Sequence, residues 1–252
     1  MKLIIAKLCF SPRLLTSLLA LVFFCLFVFL GFWQLDRADY KRTLFSEFET
    51  RQSSGAISLD QDKIEQLKKE DLLWQTVNVS GQFLEQYQIL LDNQVEQGQA
   101  GYYVYTPFKI DSSEHVVLIN RGWLPVGNDR QASPQLVTTN SVVVVTGAVK
   151  DEPKTGMLLK EALPETLSDT VYRVQQINIE ELQDLTGTML LPYIVRLVAE
   201  SGHGYRKQWQ APGSGESRHL GYAFQWFAFA AALLVIYLLL NIKKIKQDSE
   251  DE

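Results

Sequence analysis

Two uncharged, apolar stretches near the ends of the chain constrain everything between them. Leu14 to Phe32 is 19 residues without a charge, and Leu220 to Leu240 is 21. As helices rising about 1.5 Å per residue, both are long enough to cross a hydrocarbon core of about 30 Å. Each is apolar around its whole circumference, unlike a core helix with one wet face. The pattern predicts two membrane helices. A cleaved signal peptide fits the first stretch less well, because it ends in Gly31-Phe32-Trp33-Gln34, bulky where a signal peptidase needs small side chains.

Charge sets the expected orientation. Lys2, Lys7 and Arg13 precede the first stretch and Lys243, Lys244 and Lys246 follow the second, so the positive-inside rule assigns both termini to the cytoplasm. Arg37, Lys41 and Arg42 oppose this, accompanied by Asp36 and Asp39. The net charge is −5; with +3 on the N-terminal flank and −1 on the C-terminal one, the part between holds −7. That balance argues against nucleic-acid binding, which needs surplus cations to displace counterions. The expected layout is a cytoplasmic flank at 1–13, a membrane helix at 14–35, a periplasmic domain at 36–218, a second membrane helix at 219–240 and a cytoplasmic tail at 241–252. Cys9 and Cys25 are the only cysteines. Both fall outside the exported part, which is therefore expected to fold without disulfides and without a Cys-x-x-Cys metal or redox site.

Past Trp33 the sequence predicts a helix from Asp36 to about Glu49, ended by Gly55, and a short polar helix reaching Lys69 with Asp60 as its N-cap. The period then becomes strand-like over Leu73–Val79, Gln88–Leu91, Tyr102–Ile110, Val116–Arg121, Val142–Val149, Val171–Ile177 and Tyr193–Val198. One helix, Ile179 to Thr186 with Gly187 after it, interrupts the late strands. The sum is an α+β fold, with an antiparallel β-rich, barrel-like domain between two terminal transmembrane helices. Ser201–Ser217, with four glycines, reads as a flexible connection.

Three clusters stand out. Gly31-Phe-Trp-Gln-Leu-Asp-Arg37-Ala-Asp-Tyr-Lys41 puts aromatics, an amide and cations where the first helix leaves the bilayer, and it also reads as an interface anchor. Asn120-Arg121-Gly122-Trp123 reads as a strand feeding a tight turn, with Arg stacked on Trp as the plain alternative. Arg218-His219-Leu-Gly-Tyr222-Ala-Phe-Gln225-Trp226-Phe opens the second helix. There Tyr222, Gln225 and Trp226, at i+3, i+6 and i+7 from His219, continue one stripe beside it. No hydrolase elbow, zinc-protease helix or phosphate loop is present, although carboxylates such as Asp92 and Glu96 leave unmotifed acid/base chemistry open.

Together with Gly81-Gln-Phe83 and Thr106-Pro107, in this order and between two terminal helices, these clusters resemble the Surfeit locus protein 1 family, the Shy-type assembly factors of cytochrome c oxidase. The resemblance implies a non-enzymatic role in maturing a haem-copper oxidase in a bacterial inner membrane, at or near haem a insertion into the catalytic subunit. It implies transiently bound haem a as the cofactor, with His219 at the position of the family's haem-linked histidine. The catalytic subunit and haem a synthase are the implied partners. Tyr222 and Trp226 would flank the group, and Arg37, Lys41 and Arg121 are candidate donors to haem propionates, with pairing to lipid or to acids of the chain as the alternative. The alternatives are a scaffold for an assembly intermediate that never touches haem, and a membrane-anchored exported enzyme.

Overall fold

The computed structural model describes residues 3–5, 8–111, 113–127, 129–139, 141–153, 163–199, 201–209, 211, 213 and 215–244. Lys2, Lys7 and Lys246, which bear on the expected orientation, lie outside the described residues, as do 245–252 of the tail. In chain order the elements are β1 (Leu3–Ile5), β2 (Leu8–Phe10), α1 (Leu14–Ser53), β3 (Ile57–Ser58), α2 (Gln61–Gln66), α3 (Lys69–Leu72), β4 (Thr76–Phe83), β5 (Gln88–Glu96) and β6 (Gln99–Ile110). They continue as β7 (Val116–Pro125), β8 (Val143–Lys150), β9 (Glu165–Ser168), β10 (Val171–Val174), α4 (Ile179–Thr186), β11 (Leu190–Leu197), α5 (Glu216–Asn241) and β12 (Ile242–Lys244). The chain divides into two compact units, Met1–Glu47 with Ala211–Glu252, and Phe48–Gln210.

The first unit is built on α1 and α5, both long and apolar enough to cross a membrane. No break occurs at Trp33: Leu14 to Ser53 is a single helix of 40 residues. Gly31, Gln34 and Ala38, at i, i+3 and i+7, form its buried face within this unit, and Ala223 and Ala230 do the same on α5. In lipid, small residues are what let two helix backbones approach, because apolar area alone gives no drive to pair. A Cβ on Gly31 would stand 2.6 Å from the Phe227 ring, so glycine sets that approach. The Ser17 and Tyr237 hydroxyls are 2.5 Å apart toward one end, and Arg42 donates from Nε and Nη2 to Glu216 toward the other. A small antiparallel sheet, β1-β2-β12, joins the outer flanks of the two helices.

The second unit is a nine-stranded sheet in the order β3-β4-β8-β11-β7-β6-β5-β10-β9, in which β4 also pairs with β6. That extra pairing closes β4, β8, β11, β7 and β6 into a five-stranded barrel. Val77, Val79, Phe108, Ile119, Val149 and Val195 fill its interior. Closure depends on Gly81, which pairs with both Ile110 and Val143, and whose Cβ would overlap the Lys109 carbonyl oxygen. Beyond β6 the sheet runs on through β5, β10 and β9, and α4 packs Ile179 and Leu182 with Leu190 and Ile194 of β11. The Asn178 side chain caps α4 at its start, and Gly187, in the left-handed region at φ 63°, ends it.

The barrel-like α+β expectation is therefore met by a closed barrel, with some differences. The helix expected to reach Lys69 is two pieces, α2 and α3, since Leu67 is extended. Trp74 takes a positive φ of 70°, which delays β4 to Thr76. The pairings β11–β7, β10–β5 and β3–β4 are parallel. The connection expected to be flexible is pinned in its first half: the Tyr205 N–H donates to Arg121 O, and Trp123 and Arg206 exchange backbone hydrogen bonds of 2.7 and 3.1 Å. Gln210, Pro212 and Ser214 of that connection lie outside the described residues.

Candidate functional site

His219 sits one turn into α5, half-buried, with Nδ1 2.8 Å from Oε1 of the buried Gln34 on α1. A carbonyl oxygen only accepts, so Nδ1 is the donor in this contact, and a neutral ring so held would leave its lone pair on Nε2. A second-residue hydrogen bond of this kind is how proteins fix the ring orientation of imidazole ligands. Among the described residues no three His, Cys, Asp or Glu side chains cluster as a metal site. Among the described residues His219 is therefore not part of such a cluster. Of the chain's three histidines, the other two, His115 and His203, belong to the barrel unit.

Tyr222 and Trp226 follow on the same helix but have different surroundings. Trp226 is half-buried and stacked on Phe27 of α1, with centroids 5.8 Å apart and planes at 29°. Tyr222 is 46% exposed. The packed stripe runs from His219 through Ala223 and Trp226 to Ala230, with Tyr222 at its edge. Arg37 is exposed on α1, its guanidinium 5.9 Å from the Tyr40 ring. The sequence singled out Gln34 only as an amide in a cluster; its link to His219 is long-range and left no local signal.

Arg121 belongs to the barrel unit and is 0% exposed. Its Nε donates to His203 O at 3.1 Å and its Nη2 to Val137 O at 2.8 Å, and the guanidinium lies 4.6 Å from the Phe83 ring and 5.6 Å from the Tyr205 ring. Burial lowers its proton affinity. The motif around it is a β-bulge: Val104 faces Gly122 and Tyr105 faces Asn120, leaving Arg121 as the extra residue. Asn120 Oδ1 accepts from Gly122 N, Gly122 takes φ 117°, and the buried Trp123 donates from Nε1 to Gln94 O. The residue over Trp123 is Arg206, at 4.7 Å, not Arg121. Arg121 is thus a joint of the barrel, tying β7 to the segments at Val137 and His203, and it has no face open to a propionate.

Asp92 and Glu96 do not form a dyad. Asp92 pairs with Arg130 at 2.5 Å, while Glu96 accepts from the Tyr103 hydroxyl at 3.3 Å. Gly81 and Thr106 of the remaining motifs serve the barrel, through its closure and through a buried hydrogen bond from Thr106 to Gln88.

Comparison with known proteins agrees with the motif order. The profile of the SURF1 family matches residues 21–231. A SURF1-like protein of Rickettsia felis is 28% identical over 237 residues, covering 89% of this chain and 96% of its own. One from Rickettsia bellii is 29% identical over 235 residues, covering 88% of this chain and 89% of its own. The cytochrome oxidase assembly protein SHY1 of Saccharomyces cerevisiae is 31% identical over 96 residues, 38% of this chain and 24% of its own.

Proposed function

The chain belongs to the SURF1 family, and from that premise we propose that it is a non-catalytic assembly factor for a haem-copper cytochrome oxidase, anchored in a bacterial inner membrane by α1 and α5. The observation that carries this reading is the family match across both helices and the barrel, together with the similarity to a yeast protein named for oxidase assembly. The Rickettsia relatives support a bacterial setting, and the cationic flanks support cytoplasmic termini with the barrel unit in the periplasm. The partner is the oxidase catalytic subunit, with haem a synthase as the natural donor in such a step.

Within that role, the site at the head of α5 assists haem a insertion. Bound haem a would supply an iron that accepts an imidazole nitrogen. His219 fits: with Nδ1 on Gln34, Nε2 would be its donor atom and Gln34 holds the ring. Trp226, stacked on Phe27, and the exposed Tyr222 offer flat apolar surface on the same helix. Arg37 is the exposed cation suited to a propionate, whereas Arg121 is committed to backbone carbonyls. His219 is the one histidine of this unit and would be the residue that holds the iron, and a single imidazole contact suits transient holding better than storage.

Deletion in a host with a haem-a oxidase, complemented by wild type or His219→Ala, tests both levels. Deletion is expected to lower oxidase activity and the oxidase haem a band. His219→Ala is expected to co-purify with the catalytic subunit but without haem a. Normal oxidase in the deletion strain removes the assembly role. A His219→Ala protein that still co-purifies haem a and complements fully leaves the scaffold reading.

A further inference from the structure

The outer wall of the barrel carries two neighbouring cations, Lys150 buried and Arg196 half-buried, that make no ion pair among the described residues. Val149 and Val195 point into the barrel, so their neighbours Lys150 on β8 and Arg196 on β11 point out of it. The strand register sets Lys150 against Ile194 and Ala148 against Arg196, which puts the two cations one diagonal step apart on a single face. Lys150 is 8% exposed. Lys150 Nζ and Arg196 Nε are both buried and have no hydrogen-bond partner among the described residues. Their contacts are aromatic: Lys150 Nζ is 3.2 Å from the Trp74 ring centroid, and the Arg196 guanidinium is 4.7 Å from that of Trp209.

The nearby acids do not balance them. Asp151 is held by Lys69 at 2.7 Å. Glu96 makes no ion pair with either cation; one of its oxygens takes the Tyr103 hydroxyl and the other is buried without a partner. Burial first, and Arg196 second, push the Lys150 ammonium down to about 7. Folded proteins rarely bury adjacent like charges without a counterion. Here the cations border a cleft of about 510 Å³ that Tyr103, Trp209 and Glu96 also line. That volume is typical of small-molecule sites.

We propose that this cleft binds a small organic carboxylate, its anionic group received by Arg196 and Lys150 and its planar or apolar body lying against Trp209 and Tyr103. A single negative charge suits the cleft better than a phosphate, because Glu96 would repel a second one. The free Glu96 oxygen also favours a ligand that carries a hydroxyl donor. This site is separate from the His219 reading and stands or falls without it.

Fluorine NMR of the full chain in detergent micelles, with protein-free micelles as blank, tests it with 4-fluorobenzoate against 4-fluorobenzylamine. Saturable line broadening is expected for the benzoate alone, with Arg196→Gln weakening it at least about tenfold, the size expected for losing one charge-assisted contact. Lys150→Met removes an uncompensated buried charge, so it is expected to melt no lower than wild type and yet to bind the benzoate about tenfold more weakly. No saturable benzoate signal, equal signals from both probes, or unchanged affinity in folded Lys150→Met protein would each overturn the proposal.

Discussion

Gln34 and His219 lie 185 positions apart in the chain and meet through a 2.8 Å hydrogen bond between the two apolar helices. With Nδ1 donating to Gln34, a neutral ring would offer Nε2 as its donor atom, so in the proposed site Gln34 would be a positioning residue for His219. Gln34→Leu keeps the volume and removes the acceptor. It is expected to leave the helix pair folded while the His219 ring samples both tautomers, seen by nitrogen-15 NMR of labelled histidine. In haem a titrations followed by visible absorption, Gln34→Leu should bind about ten- to a hundredfold more weakly, the range typical of lost support for a ligating histidine, and His219→Ala should give no specific band. A Gln34→Leu protein with one tautomer and wild-type affinity would remove Gln34 from the site.

The close approach of α1 and α5 turns on Gly31 and Phe227. A methyl at residue 31 would lie 2.6 to 2.7 Å from two ring carbons of Phe227, and overpacking of this kind costs about 1–3 kcal/mol. Gly31→Ala should lower the unfolding midpoint in detergent. Adding Phe227→Ala should return part of the loss, giving a coupling of about 1 kcal/mol in a double-mutant cycle. Strictly additive effects would mean that the ring and the glycine do not set the approach.

The bulge in β7 makes a different demand on glycine. Gly122 sits at φ 117°, and a Cβ there would be 2.7 Å from Arg206 O. Gly122→Ala should destabilise the barrel by about 1–3 kcal/mol. Gly127→Ala, five positions on and with open space around the added methyl, should be nearly neutral. Equal melting shifts for the two would show that the bulge does not need its left-handed residue.

Much of this was legible in the sequence, for a physical reason. Apolar runs report the solvent around a segment, so α1 and α5 could be read directly, and period-two alternation revealed most strands of the barrel. Pairing is different, because it links distant positions. Nothing local in Gly81 says that β4 will meet β6, nothing in Leu190–Leu197 says that it will run parallel to β7, and β9 is too short and polar to stand out. The same limit applied to the site. His219 could be picked from its motif, but Gln34 became its partner only when the helices came together. Arg121 read as stacked on Trp123 or as a propionate donor, and the bulge instead turns it onto Phe83 and Tyr205. The strand read as Val142–Val149 stops one residue short of Lys150, and nothing local there marks the lysine as buried.

Lys150 also makes the stability of the barrel unit depend on pH in an unusual direction. Its folded value of about 7 lies below the roughly 10.4 of a free lysine. Between those values the unfolded chain holds a proton that the folded chain has released, so stability should rise with pH across that window. Below pH 7 both states are charged and the full penalty of the buried ammonium is present. Among the described residues the groups near it are Arg196, Glu96, Tyr103 and Asp151; every other group of the chain persists in Lys150→Met, so the difference between wild type and variant isolates Lys150. At pH 6 the variant should melt higher than wild type, and by pH 9.5 most of that gap should have closed. Adding 4-fluorobenzoate to wild type at pH 7 should narrow the gap as well, because a bound carboxylate favours the ammonium. Parallel melting curves from pH 6 to 9.5 would mean that Lys150 keeps an ordinary affinity for its proton, and that the outer wall of the barrel is more open to water than its contacts imply.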